Sequence, residues 1–515
     1  MNSGFGSLER ADGHARSRHG ENRTSAWVLT VLGLGFEKSG RVLSSFVLAR
    51  ILSERDFGLF MLILVTFTTL TGVLSGGMSA AGCSAVSCGA QKGREEFSAA
   101  VCSVILLSLG SVILTIGGMI VFGVDWVSEK VLAAREAAVP LMLLLPAIGL
   151  QSLALSWEGV LQGARLFGTI TLAKACSAPL GMIAVIGAGL KYGLYGATLG
   201  LTLAGAVAAG FLGRRIYRAS CEDGVGWRTP SFDLLASIGR LSCVLSLSNI
   251  MVAVTIWVGQ AILTRRVGLE GVGIFGAGNQ IRNLVALPAG TLGVATLPFL
   301  SARRISGDAG GFRALATEYT LLVTMLVGSI CVFLIGASQE VLSACYGAPL
   351  RQGWLNASLL FASQLVLLPG LVMALVVVSL DEPSYGFFVN FVWAAVYLLG
   401  AWFLTPAWGY VGLGAATLAA SAVQLPLCLT YLHARRALEF KRVGLAFACM
   451  ALGVLLAVAG YWSGGASERF GVAALAAAGG GLGAWMVGFE KNQRRRILER
   501  AKGMLRGTGS VFGGL

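Results

Sequence analysis

Fourteen apolar stretches of about twenty residues or more, separated by short polar turns, leave this chain few folds to choose from. They run 25–50, 57–82, 98–123, 138–161, 166–189, 195–217, 236–264, 271–300, 315–338, 354–380, 384–405, 409–432, 443–463 and 469–489. A bilayer-spanning helix needs roughly 20 mostly apolar residues. In lipid only helices or closed barrels satisfy the backbone, and stretches this long are helices. The expected fold class is therefore an all-α polytopic membrane protein with about 14 transmembrane helices. Charged residues make up only 12% of the chain, against about 25% in soluble domains. No connection between the spans is long enough to fold as a soluble domain.

The loops set the topology. Of the 39 Lys and Arg, 25 fall on the side of the N-terminus, 9 on the opposite side, and five (Lys38, Arg41, Lys174, Arg240 and Arg282) inside spans. Cationic loops stay cytoplasmic, so both termini are expected in the cytoplasm, as an even number of spans requires. The +14 net charge is thus a topology signal, and no nucleic-acid partner is expected. Residues 1–24 read as a disordered cytoplasmic leader. Residues 490–515 read as a basic cytoplasmic tail lying on anionic lipid. The ten Cys are scattered and the three His (His14, His19 and His433) lie apart, so no catalytic residue, metal centre or cofactor is expected.

The 71 glycines are nearly double the usual roughly 7% share. Spacings such as Gly72-x-x-x-Gly76, Gly196-x-x-x-Gly200 and Gly479-x-x-x-Gly483 suit close helix contact in lipid. The chain also repeats. Leu48, Arg50, Gly58 and Phe60 return as Leu263, Arg265, Gly273 and Phe275, an offset of 215. Phe167-Gly168 returns as Tyr385-Gly386 at 218, and Tyr192-Gly193-Leu194 as Val411-Gly412-Leu413 at 219. This predicts an N-lobe at 25–217 (spans 1–6), a C-lobe at 236–432 (spans 7–12), and two appended helices at 443–489. Six spans per repeat give both lobes the same orientation, related by an axis along the membrane normal.

Ionisable residues within spans mark pathways, because each costs about 2.5–3.5 kcal/mol at mid-bilayer. Glu37 and Arg41 are four apart and share a helix face with Lys38 beside them and Ser45 continuing the stripe. In span 8, Asn279, Arg282 and Asn283 share a face, and Pro288 is expected to kink the helix. Lys174 lies in span 5 and Glu158 near the cytoplasmic end of span 4. Neither polar face recurs in its repeat partner, which suits a site shared by the lobes. Arg41, Arg282, Lys38, Asn279, Asn283 and Lys174 are therefore candidate substrate-binding residues for a phosphate. Glu37 and Glu158 are candidates for coupling to H+ or Na+. Gln260, Gln364 and Gln424 read as helix–helix hydrogen bonds.

The stretch Val47-Leu48-Ala49-Arg50-Ile51-Leu52-Ser53-Glu54-Arg55-Asp56-Phe57-Gly58-Leu59-Phe60 resembles the signature of polysaccharide-unit flippases, the O-antigen and exopolysaccharide translocases. Tyr192-Gly193-Leu194-Tyr195-Gly196-Ala197 is similar to their turn between spans 5 and 6. The resemblance covers spans 1–12. It implies the multidrug/oligosaccharidyl-lipid/polysaccharide exporter superfamily: two six-helix lobes around a central cavity, working by alternating access. The substrate implied is an undecaprenyl-diphosphate-linked oligosaccharide crossing the bacterial inner membrane for lipopolysaccharide or exopolysaccharide synthesis, alongside polymerase and glycosyltransferase machinery. Fourteen spans depart from the common twelve and match peptidoglycan lipid II flippases, which implies a lipid-tail groove beside spans 13 and 14. A multidrug exporter is the alternative, but the candidate acids Glu37 and Glu158 are outnumbered by the five cations inside spans. A polysaccharide polymerase or ligase would need a long outward loop, and the outward loops here are short. The charge asymmetry generates a test: reporter fusions after Glu490 should be active only as cytoplasmic fusions, and periplasmic activity there would invert the topology.

Overall fold

The computed structural model describes residues 35, 39–121, 123–164, 166–222, 229–462, 465–489 and 493–494. The leader at 1–24, most of the tail at 490–515, and Glu37 and Lys38 lie outside the described residues. Among the described residues every regular element is helical. Eleven helices among the described residues are long and apolar enough to cross a membrane. Two of them, α5 (Phe167–Glu222) and α12 (Pro383–Ala434), run 56 and 52 residues, far beyond one bilayer crossing. Each breaks at a single glycine. Gly193 has φ 59°, ψ −138° and Gly409 has φ 58°, ψ −136°, a region that only glycine enters without strain. Each long helix is thus a hairpin of two spans. With α1 (39–51), the described part of the first span, the described residues place thirteen of the predicted spans and part of the fourteenth.

These corners correct the register of the repeat. Gly193 corresponds to Gly409, not to Gly412, and α12 starts 216 residues after α5. A Cβ on Gly196 would overlap the Ala188 carbonyl, and one on Gly412 would overlap the Leu404 carbonyl, again 216 apart on both partners. The arms of each hairpin cross where one side chain is missing. In α5 the gap is Gly200, on the second arm, against Ala184 and Val185. In α12 it is Gly400, on the first arm, against Ala416. The offsets of 218 and 219 therefore fall to 216, beside the 215 of the first match.

The chain forms two compact units, residues 1–276 and 277–515. In the first, α2 (Glu54–Lys92) packs along α3 (Arg94–Val121), α4 (Ala138–Gly163) and α6 (Phe232–Val267), and α4 packs along α5. The turn Ser53-Glu54-Arg55-Asp56 is the N-cap of α2: Ser53 Oγ accepts from the Asp56 N–H at 3.1 Å, and Glu54 and Asp56 suit the positive end of the helix dipole. Residues 57–64 are buried all round, as an apolar helix with no polar face must be. Gly58 makes this possible: a Cβ there would overlap the Leu269 carbonyl, and one on Gly273 would sit 3.2 Å from Gly58 Cα. A Cβ on Gly276 would sit 2.7 Å from Met61 Cγ. Gly58/Gly273 and Met61/Gly276 are repeat-equivalent pairs at 215, so the first turns of α2 and of α7 (Leu269–Val285) meet about a local pseudo-two-fold.

In the second unit α7 stops at Ala286 and α8 (Leu287–Ile305) starts with Pro288 in its first turn, the predicted kink. Asp308 caps α9 (Ala309–Gly336) by accepting from Gly311 N–H at 2.8 Å. That bond, then the ion pair with Arg303, holds its carboxyl below the usual range. After α10 (Ser338–Tyr346), α11 (Trp354–Leu380) packs along α12. Helices α13 (Phe440–Ala459) and α14 (Ala466–Gly488) pack on each other and on α9. Small residues set that contact: a Cβ on Gly336 would meet Ala473 at 2.7 Å and Ala457 at 3.1 Å.

The glycine contacts generate a test. Gly193→Ala forces an L residue to positive φ, which costs about 1–2 kcal/mol, and Gly412→Ala drives a methyl into a carbonyl. Both should lower the unfolding temperature and yield of the purified protein. Gly210→Ala, which meets open space, should leave both unchanged. Equal behaviour of all three would show that the hairpins do not depend on these glycines.

Candidate functional site

Four helices of the first unit line a largely apolar cavity that holds a few polar and charged groups. Helix α1 supplies Gly40, Arg41 and Ser44; α2 supplies Phe60, Leu64 and Phe67; α4 supplies Gln151 and Glu158. The first arm of α5 supplies Ala173, Lys174, Ser177, Ala178 and Gly181, and its second arm supplies Leu201, Ala204 and Ala208. These are helical faces: 41 and 44 are three apart, 151 and 158 seven apart, and 174, 177, 178 and 181 follow the 3.6 period. The small residues along α5 leave the room. Gly40 brings α1 close, since a Cβ there would sit 3.6 Å from the Ala178 carbonyl oxygen.

Glu158 and Lys174 meet across α4 and α5, with Oε2 and Nζ 3.0 Å apart and both side chains buried. Transferring two ions from water costs several kcal/mol each, and only close pairing offsets it. Arg41 lines the same cavity, so among the described residues two cations and one carboxylate line it. Arg41 is half-buried. Of the polar stripe expected at positions 37, 41 and 45, position 37 lies outside the described residues, Arg41 lines the cavity, and Ser45 is buried and donates to Val42 O at 2.7 Å, while Ser44 lines the cavity. Sequence reasoning flagged Arg41, Lys174 and Glu158. It missed Gln151, Ser44 and Ser177, although Gln151 sits two turns from Glu158 on one face.

The second unit holds the other predicted cation. Arg282 is half-buried, and its Nε is enclosed with no hydrogen-bond partner among the described residues. Its titratable neighbours are Cys331 of α9 and Tyr397 of α12, both buried. Among the described residues no acid forms an ion pair with it. Asn279 is half-buried and Asn283 exposed. The three glutamines do not make the full set of expected hydrogen bonds: Gln260 Oε1, Gln364 Nε2 and Gln424 Oε1 are buried without a partner among the described residues. No group of three or more His, Cys, Asp or Glu is placed to hold a metal ion among the described residues.

The buried pair predicts non-additive stability. Lys174→Gln or Glu158→Gln alone leaves an uncompensated buried charge, and such losses run to about 3–5 kcal/mol. The double substitution should cost less than the worse single one in thermal unfolding. Strict additivity would mean that the two side chains do not interact.

Solved structures share this fold. One is an inward-facing multidrug resistance MATE transporter of the MOP superfamily, 14% identical, with TM-score 0.65, covering 78% of this chain and 95% of the other. Another is the lipid II flippase MurJ in an inward closed conformation, 16% identical, with TM-score 0.67, covering 88% and 97%. A third is a MOP superfamily transporter from Pyrococcus furiosus with a binding pocket described as of reverse polarity, 14% identical, with TM-score 0.55, covering 80% and 95%. A search of curated proteins found no match. The family model described as polysaccharide biosynthesis protein matches residues 27–304. More than half of the chain fits that model, and the chain belongs to this polysaccharide biosynthesis protein family.

Proposed function

We propose that the protein moves a polyprenyl-diphosphate-linked oligosaccharide from the cytoplasmic to the periplasmic leaflet of the bacterial cytoplasmic membrane, by alternating access, for surface polysaccharide synthesis. The observation that carries this reading is the cavity lining, where the described residues include two cations, Arg41 and Lys174, beside the carboxylate of Glu158. Arg282, enclosed in the second unit without an acidic partner among the described residues, adds a second cationic station. Diphosphate is the anion a lipid-linked sugar brings into a membrane. Arg grips phosphate oxygens through two parallel bonds, and Lys meets them as a point charge. The glycan would sit in the wet cavity and the polyprenyl tail would stay in lipid. Glu158 and Glu37 are the carboxylates through which H+ or Na+ would couple. Lys38, Asn279 and Asn283 are assigned to the same path.

A multidrug exporter of organic cations is disfavoured by the pairing itself, because Lys174 already neutralises Glu158. A peptidoglycan lipid II flippase is the second reading. Its support is the likeness to MurJ over 88% of this chain together with fourteen spans. Both readings place a polyprenyl diphosphate in the cavity and differ only in the glycan.

Surface polysaccharide in a complemented knockout tests the anion reading. Arg282→Ala should drop export to background at normal protein level, and Arg282→Lys should keep part of it, since the charge stays and the paired bonds are lost. Normal export by Arg282→Ala would make this arginine a structural charge only.

A further inference from the structure

We infer that span 7 moves with the first six spans during transport, and that the two moving bodies pivot within α7 at Gly276–Gly278. The inference rests on the alternating-access reading above and says which helices travel together. The sequence repeat divides the chain after span 6. The packing divides it after span 7, into residues 1–276 and 277–515.

Span 7 is α6, and among the described residues it packs along α2 and beside α3. The seam with α2 is long and polar at its centre. Trp257 Nε1 donates to Thr66 Oγ1 at 3.0 Å, and Thr69 Oγ1 donates to the Ala253 carbonyl at 3.4 Å. A Cβ on Gly77 would lie 2.0 Å from the Ser242 carbonyl oxygen and 2.1 Å from Ser246 Oγ, so there the two backbones touch. The partners on α6 fall from 257 through 253 to 246 as those on α2 rise from 66 through 69 to 77. The helices therefore run antiparallel in one register over about three turns. Parting them would strand an indole N–H and a hydroxyl where lipid offers no replacement partner. It would also empty the seat at Gly77, which dispersion between close-packed atoms fills. Such a seam is carried through a domain motion as a unit, and the change of angle falls on a few residues elsewhere.

Those residues lie in α7. Gly268, at φ 91°, is the single residue between α6 and α7, so the first turns of α7 follow α6. They are also seated on α2, through Gly273 on Gly58 and Gly276 on Met61. Two residues later the neighbour changes. A Cβ on Gly278 would lie 3.2 Å from Ala357 Cα in α11. The first half of α7 is thus held within the first unit and its second half within the second. Glycine is the poorest helix former after proline, and a glycine stands on each side of the change.

The test uses the full chain in the complemented knockout, with surface polysaccharide as the readout. Three cysteine pairs are tied in turn by a short bifunctional thiol reagent: Thr69→Cys with Ala253→Cys, Met61→Cys with Gly276→Cys, and Gly278→Cys with Ala357→Cys. Tie formation is read by mass spectrometry of the linked peptides, and the wild type treated alike controls for its ten native cysteines. All three ties should form, and export should stay at the level of the treated wild type. A division after span 6 would put the first two ties across the moving bodies, and each would stop export. Gly76→Cys with Asn249→Cys, whose Cβ and Nδ2 positions lie 3.9 Å apart, replaces the first pair if that variant is not made. Loss of export on tying α2 to α6, or failure of that tie to form, overturns the assignment of span 7. Loss of export with either α7 pair overturns the pivot at Gly276–Gly278. A knockout that keeps its surface polysaccharide overturns the flippase reading instead.

Discussion

Lipid offers no hydrophobic gain for bringing two helices together, so this fold depends on how closely its backbones can approach. The structure concentrates that approach at a few missing side chains. Gly58 lies against the Leu269 carbonyl, and Gly200 and Gly400 let hairpin arms touch. Gly336 seats α14 and α13 on α9. Each contact replaces side-chain volume with backbone proximity, and dispersion between many atom pairs supplies the attraction. Bulky residues then fill the remainder, as with Phe57 and Phe60, which are almost fully enclosed beside Gly58.

The same economy shapes the cavity. Ala173, Ala178, Gly181, Ala204 and Ala208 withhold volume on α5 and leave a space that the polar groups of α1 and α4 line. A charged group there faces a wall of low polarity, where electrostatic interactions are stronger than in water. The unit answers with a cross-helix ion pair and one further cation.

The helices were legible in the sequence because lipid imposes length and apolarity directly. The repeat was legible too, but its register was not. Both corners contain two glycines three residues apart, Gly193 and Gly196 in one, Gly409 and Gly412 in the other. Composition does not reveal which of each pair takes positive φ, and Gly193 was matched to Gly412. The charged residues of the cavity were each visible as intramembrane charges. Their pairing was not, since periodicity relates residues within one helix while Glu158 and Lys174 meet across two. That Ser44 and not Ser45 lines the cavity has the same origin, since the face α1 turns toward α5 depends on a neighbour that its own sequence does not contain.

A single glycine joins the two spans of α5, and another those of α12. A loop tolerates added or lost residues because its slack absorbs them. A one-residue corner has no slack. One residue inserted after it turns the following span by about 100° and shifts it by about 1.5 Å. The face that met the partner arm then points to lipid, and Gly196 or Gly412 no longer opposes its carbonyl. These two corners therefore act as length rulers: substitution can alter the spans they join, while insertion and deletion at the corner are closed routes of change for this chain.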